Sequence, residues 1–302
     1  MRILVTGGAG FLGAWIIRRL AADGHGVRIF DASDKRGLVA AIAGSEVAQA
    51  CEWRVGDIVS RAAVREAAWG CDAIIHLAGI LTPDCRADPI RGAEINLIGT
   101  LNVFDAALAH GIRRIVYTSS AGVYGPEDTG LPVPTTHYGA FKLACEGSAR
   151  AYWNDRGLAS VGFRPYVVYG PGRETGMTAA PTLACKAAAS GEPYIFGYSG
   201  TTGLIYVDDV AAAYVAALER EPDGAHVFNL IGTVASAEEV IAEIRRQEPN
   251  ADIRPGGPLA PFAQGLKETG LRETFPGLPS TSLDDGIAAT LAFYREVRVP
   301  AL

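Results

Sequence analysis

The stretch Met1-Arg-Ile-Leu-Val-Thr-Gly-Gly-Ala-Gly-Phe-Leu-Gly13 leaves this chain few folds to choose from. Residues 3–5 are a short apolar run, the pattern of a strand buried on both faces. Residues 6–13 are dense in glycine, and residues 14–22 carry apolar and basic residues at helical spacing. Gly8, Gly10 and Gly13 satisfy G-x-G-x-x-G, and Gly7, Gly10 and Gly13 satisfy the wider G-x-x-G-x-x-G. A turn that tight needs residues without Cβ, and a pyrophosphate must approach its backbone closely. The helix beyond the turn offers that phosphate free N–H groups and the positive end of its dipole. Glycine turns also serve purely structural ends, so the next strand has to decide.

Residues 27–30 are a second apolar strand, and Asp31 stands at its C-terminal end, roughly 20 residues past the glycines. A carboxylate there accepts hydrogen bonds from the adenosine ribose hydroxyls and repels a 2′-phosphate, which selects NAD over NADP. Lys35 and Arg36 stand close by and could pair with a 2′-phosphate. The bland alternative for Asp31 is a turn aspartate that caps the next helix.

Composition sets the outer limits. The 302 residues are 49% hydrophobic and 20% charged, enough to bury a large α/β core with a smaller lobe. A formal charge of −6 argues against nucleic acid or an anionic membrane as the main partner. No apolar run is long enough for a membrane span, and the strand at the N-terminus leaves no room for a signal peptide. Cys51, Cys71, Cys85, Cys145 and Cys185 show no metal-ligand spacing, and no metal site is expected. They read as reduced, mostly buried thiols of a cytoplasmic protein.

Strand and helix patterns alternate through the first half. Strands are expected at residues 52–55, 73–77, 112–118 and 160–163, and helices at 62–69, 92–110 and 136–156. This is the rhythm of a doubly wound parallel sheet, whose ligands sit at the strand C-terminal ends. Gly7, Asp31, Asp57, Ala78 and Ser120 all fall at such ends. After Pro165 the rhythm loosens. Helices are expected at 178–190 and 282–295, a polar glycine loop at 199–203, and a strand at 205–209 running into a capped helix. A strand follows at 227–230, and Ser236 opens a helix with Glu239 in capping-box position. The division expected is a Rossmann-type NAD-binding domain of residues 1–170 with 204–232, and a substrate lobe of 171–203 with 233–302.

Tyr138-Gly-Ala-Phe-Lys142 places a tyrosine and a lysine on one helical face. A tyrosine hydroxyl ordinarily titrates near ~10, too high for a base at neutral pH. A neighbouring ammonium and an oxidised nicotinamide would both favour phenolate. Phenolate could then take the proton of a substrate hydroxyl while its carbon gives up hydride. A core tyrosine beside a solvated lysine fits the same spacing. A third group narrows the choice, because Thr118-Ser-Ser120 follows the fifth strand, and a hydroxyl there could hold the substrate oxygen.

Taken together, the motifs resemble the extended short-chain dehydrogenase/reductases, and more narrowly the NAD-dependent epimerase/dehydratase family. The resemblance rests on Thr6–Gly13, Asp31, Gly56-Asp57-Ile58, His76-Leu-Ala-Gly79, Asn96-Leu-Ile-Gly-Thr100, Ser119-Ser120 with Val123-Tyr-Gly125, Tyr138-x-x-x-Lys142 and Arg164-Pro165 with Tyr169-Gly-Pro-Gly172. It implies Ser120, Tyr138 and Lys142 as the catalytic triad, with Lys142 also on the nicotinamide ribose. It implies a cofactor site of Gly7, Gly10, Phe11, Leu12, Gly13, Asp31, Asp57, Ile58, Leu77, Ala78, Gly79, Tyr138 and Lys142. It also implies a homodimer built on the helices expected at 92–110 and 136–156.

Two departures from the family pattern bear on the substrate. Ser120 is followed by Ala121 and Gly122, where sugar dehydratases carry an acid pair. Thr202 and Gly203 stand where nucleotide-sugar enzymes usually have Arg-Asp, the arginine serving a diphosphate. Residues 226–244 are similar to the threonine dehydrogenase branch. The substrate expected is therefore a small sugar, sugar acid or hydroxy acid, bound by Thr82, Ser120, Tyr166, Arg173 and Tyr194, with Glu174 nearby. The alternatives are a nucleotide-sugar 4-epimerase using the same triad and a non-catalytic NAD-sensing protein.

Overall fold

A computed structural model describes residues 1–126, 130–220, 223–260 and 267–296. Its main sheet joins β1 (Arg2–Thr6), β2 (Gly26–Asp31), β3 (Glu52–Val55), β4 (Ala73–His76), β5 (Arg114–Thr118) and β6 (Ser160–Pro165). Beyond β7 (Val167–Tyr169), β8 (Tyr194–Ile195) and β9 (Thr201–Tyr206), the chain returns to it as β10 (Ala225–Leu230). The order is β10-β6-β5-β4-β1-β2-β3, and every pairing is parallel. This is the doubly wound α/β sheet expected from the sequence.

Alternation along β1 sends side chains to opposite faces. Ile3 and Val5 join Trp15, Ile16 and Val210 in one core, while Leu4 joins Val64, Phe104 and Ala149 in the other. Helices Phe11–Ala22 and Val207–Glu219 thus cover one face, tied by Arg19 to Asp208 at 2.8 Å. Helices Arg61–Ala68, Gly99–His110 and His137–Arg156 cover the other. The strand order reverses at β1, between β2 and β4, and a crevice opens there above the strand ends. Register brings those ends level, with Thr6 beside both Phe30 and His76, and His76 beside Tyr117.

The remaining strands build two small sheets. β9 pairs in parallel with β7 and antiparallel with β11 (Thr233–Ser236), and β8 pairs with β12 (Ile253–Arg254). Helices Ala180–Ser190, Ala237–Gln247 and Leu283–Glu296 pack around them. The capping box of Ser236 and Glu239 is formed in both directions. Residues 261–266 and 297–302 of the expected substrate lobe lie outside the described residues.

Three expectations need correction. The strand expected at 205–209 ends at Tyr206, where helix Val207–Glu219 begins without a side-chain cap. Residues 201–203 are not loop but the start of β9, where Thr202 is buried. Thr201 and Thr202 are β-branched and pair with β11, which outweighs the glycine beside them. The helix expected at 92–110 is interrupted by a π-helical turn, Glu94–Ile98, between Pro89–Ala93 and Gly99–His110. Asn96 is fully buried inside that turn, and its amide donates to the carbonyls of Ile80 and Gly92. All five cysteines are free and buried. No helix among the described residues is long and apolar enough to cross a membrane.

Candidate active site

The cofactor end of the crevice is shaped by backbone. Gly7 has φ +69°, and a Cβ on it would stand 2.7 Å from the Ala78 nitrogen, so β1 and β4 close together only over glycine. Gly10 precedes helix Phe11–Ala22 without a side-chain cap, which leaves first-turn N–H groups for an anionic ligand. Gly13 lets that helix sit directly on the turn, because a Cβ there would lie 2.6 Å from the Gly8 oxygen. Asp31 reaches the turn from β2, its carboxylate accepting from the amides of Ala9 at 3.1 Å and Ser33 at 3.2 Å. Of the two cations beside it, Arg36 is committed elsewhere, since it pairs with Asp34 and lies over the Trp53 ring. An open glycine cradle, free helix amides and a carboxylate at the second strand end fit NAD. Asp57 stands on the rim, held by Arg91 at 2.8 Å and by the Val59 amide, and Arg91 keeps its carboxyl below the usual range. Ile58 is buried against Gly99.

A cleft of about 250 Å³ continues from this end. Of the residues singled out from the sequence, Phe11, Leu12, Leu77, Gly79, Thr82, Ser120, Tyr138, Lys142, Tyr166 and Arg173 line it. Each member of the expected triad has its own support. Thr136 caps helix His137–Arg156 through the Gly139 amide, and this sets Tyr138 in the first turn. One turn on, the buried Lys142 ammonium donates to the Thr118 carbonyl at 2.8 Å and lies 5.7 Å from the Tyr138 ring centroid. Ser120, two residues past β5, caps the single turn Ala121–Val123, its hydroxyl accepting from the Gly122 amide at 3.0 Å. Gly122 joins the two sides, since a Cβ there would lie 3.2 Å from the Ser120 hydroxyl and 3.6 Å from the Tyr138 ring.

The floor is a chain of buried polar groups. Thr100 donates to the Asn96 carbonyl, so its oxygen accepts from His76 Nε2, and His76 Nδ1 in turn accepts from Thr6 at 2.7 Å. That assigns neutral His76 to the Nε2–H tautomer from the network. Burial, aided by Lys142, holds its pKa down to about 3.

Behind Ser120 lies a network that sequence reasoning missed. Arg164 Nε and Nη2 grip the Glu146 carboxylate at 2.7 and 2.5 Å, and Nη1 donates to the Tyr124 hydroxyl. The hydroxyl of Ser119 donates to the same carboxylate, and Tyr124 passes on to Asn229. Arg164 was legible only as part of a motif, and Glu146, one helical turn past Lys142, carried no signal of its own. Leu81, Pro83, Val168, Met177 and Thr178 also line the cleft and were not singled out. Tyr194 does not line it. It sits in β8 beside Ile253. Glu174 turns away to Lys186 and Tyr294. Among the described residues no group of acids, histidines or cysteines could hold a metal ion.

This geometry has relatives. The family NAD dependent epimerase/dehydratase matches residues 3–230. A UDP-glucose 4-epimerase of Mycolicibacterium smegmatis is 33% identical over 98% of this chain and 99% of its own length. A 2-alkyl-3-oxoalkanoate reductase of Stenotrophomonas maltophilia is 34% identical over 74% of this chain and 67% of its own. The solved Thermus thermophilus UDP-glucose 4-epimerase in complex with NAD superposes with a TM-score of 0.81 at 26% identity, covering 98% of this chain and all of that one. The chain therefore belongs to the NAD-dependent epimerase/dehydratase family of extended short-chain dehydrogenase/reductases, and is an NAD-dependent enzyme.

Proposed function

We propose that the enzyme transfers hydride at a secondary carbinol of a small substrate that carries no nucleotide. Bound NAD supplies the hydride acceptor. Tyr138 takes the hydroxyl proton, Ser120 holds the reacting oxygen, and Lys142 fixes the nicotinamide ribose and favours the anionic tyrosine side chain. In the reverse direction Tyr138 returns the proton to the carbonyl oxygen. The cleft lining interleaves apolar side chains with hydroxyl-bearing residues and two cations, and its apolar members help to exclude water while the charge shifts. Residues 1–170 with 204–232 hold the cofactor in this reading, and 171–203 with 233–302 the substrate. The same reading takes the protein to be a cytoplasmic homodimer joined through residues 92–110 and 136–156.

The observation that carries the substrate size is the sealed start of β9. Thr202 is buried, and a Cβ on Gly203 would lie 2.7 Å from the Ile231 oxygen and 3.2 Å from the Tyr166 ring. Thr202, which stands at the arginine position of that pattern, is short and buried, so the start of β9 supplies no cation to the cleft. Of the described residues lining it, only Lys142 and Arg173 are cations, and Lys142 is held by Thr118. A diphosphate in such a site would meet a desolvation cost of several kcal/mol without matching partners.

NADH formation, followed by absorbance across sugars, sugar acids, hydroxy acids and nucleotide sugars, tests the reading. Tyr138→Phe should keep cofactor affinity and lower turnover ~10²–10⁴-fold. Activity confined to nucleotide sugars would reject it. A second reading, nucleotide-sugar 4-epimerase, is favoured by the full-length similarity to UDP-glucose 4-epimerases. It requires saturable UDP binding and conversion of UDP-glucose without net NADH.

A further inference from the structure

The turn after β7 carries a cation that is paired with no anion among the described residues. Arg173 lines the cleft together with Tyr138. Its Nη2 donates to the Thr178 hydroxyl at 3.2 Å, and its guanidinium lies 5.6 Å from the Phe11 ring centroid. Its Nε is buried with no hydrogen-bond partner. The adjacent acid is not available, because Glu174 accepts from Lys186 at 2.8 Å and from Tyr294 at 3.3 Å. Space for the guanidinium is built in. Gly176 has φ +97°, and a Cβ there would lie 3.3 Å from Arg173 Nη2 and 3.1 Å from Leu81. Burial lowers the Arg173 pKa from its ordinary value, and Tyr138 is the group that opposes this shift.

A half-buried charge without a counter-ion is costly, and an orphaned buried donor such as its Nε adds to that cost. Both are relieved when a ligand brings the anion. A guanidinium fork matches a carboxylate through two parallel hydrogen bonds, and apolar neighbours such as Phe11, Leu81 and Met177 strengthen the pair by excluding water. The pyrophosphate of the cofactor is a competing anion, but the glycine turn and the free helix amides already provide for it.

We propose that Arg173 receives the carboxylate of the substrate, which makes that substrate a hydroxy acid whose carbinol lies at Ser120 and Tyr138. This rests on the hydride-transfer reading above and adds its substrate class. The two fail separately, because binding of an acid needs no turnover, whereas the hydride reading stands or falls on Tyr138-dependent NADH formation.

The test is calorimetric titration of the NADH-loaded protein with glycerate, 3-hydroxybutyrate and gluconate, each compared with its methyl ester. The native protein should bind at least one acid ~10-fold or more tighter than its ester. Arg173→Met should abolish that difference, Arg173→Lys should restore part of it, and NADH affinity should stay within about twofold in both. Thermal melts confirm that the variants are folded, and Arg173→Gln replaces the methionine variant if it is not. Three results would overturn the proposal: no acid bound better than its ester, a preference that survives Arg173→Met, or a loss of NADH affinity with acid binding unchanged. The last would assign the guanidinium to the cofactor.

Discussion

Removing Arg164 tests how the serine end of the site is held. Glu146 is 4% exposed, and the Arg164 side chain 13%. Arg164→Met deletes two hydrogen bonds to that carboxylate and one to Tyr124, leaving it the Ser119 hydroxyl. Hydrogen bonds to a charged group contribute ~1.5–3 kcal/mol each, so two give ~3–6 kcal/mol. Stranding one member of a buried pair gives a similar ~3–5 kcal/mol. The expected loss of unfolding free energy in urea melts is therefore about 4 kcal/mol. Glu146→Leu combined with Arg164→Met removes both charges and should recover most of it, leaving a deficit of about 1–2 kcal/mol from the lost Ser119 and Tyr124 bonds. Turnover should fall in the single variant, because Ser119 precedes Ser120 and Tyr124 lines the cleft. A loss below ~1 kcal/mol in Arg164→Met, or a double variant no more stable than the sum of the singles, would refute the reasoning.

Three further perturbations have defined outcomes. Gly7→Ala forces a side chain into left-handed backbone at ~1–2 kcal/mol and drives its Cβ toward Ala78, so NAD affinity and melting temperature should both drop; an unchanged calorimetric affinity would contradict the cradle. Asp31→Ala should weaken NAD binding and narrow the gap to NADP, and tighter NADP than NAD binding by the native protein would count against the role of the carboxylate. His76 stays neutral in the fold down to about 3 while the unfolded chain takes a proton below its ordinary 6.5. Stability is therefore lost as pH falls from 6.5 toward 3 and levels off beneath, with a slope approaching ~1.4 kcal/mol per pH unit inside that window. His76→Asn should flatten this slope in urea melts; an unaltered pH profile would mean that His76 takes up its proton as readily in the folded as in the unfolded chain.

The sheet was legible because strands buried on both faces must be apolar throughout, as Ile3-Leu-Val5 and Ile74-Ile75 are, and because glycine, Asp31 and Tyr138 sit at spacings that chemistry fixes. The small sheets were not. β8 and β12 are two residues each, too short for any period to show, and β9 begins with polar residues that become strand only through distant pairing with β11. The π-helical turn was hidden for a similar reason, since the pattern across residues 92–110 remains helical while Asn96 answers to carbonyls elsewhere. Ionic partners such as Arg164 and Glu146 meet only once a strand is laid against a helix. Tyr194 of β8, expected among the lobe residues of the cleft, instead pairs with Ile253, a contact between distant parts of the chain that no local pattern shows.

The position of β10 has a consequence for how the protein comes into being. β6 gains its outer neighbour only from residues 225–230, after the chain has passed through β7, β8 and β9. During synthesis at ~5–20 residues per second, the 65 residues from the start of β6 to the start of β10 take roughly 3–13 s. Through that interval a nascent sheet would carry β6 as an apolar edge with unpaired backbone groups, the kind of surface that invites wrong partners. A chaperone that shields such edges would act on this chain in that window, and a transcript stalled before codon 225 would yield an aggregation-prone fragment, although every residue of the glycine turn and the triad had already been made.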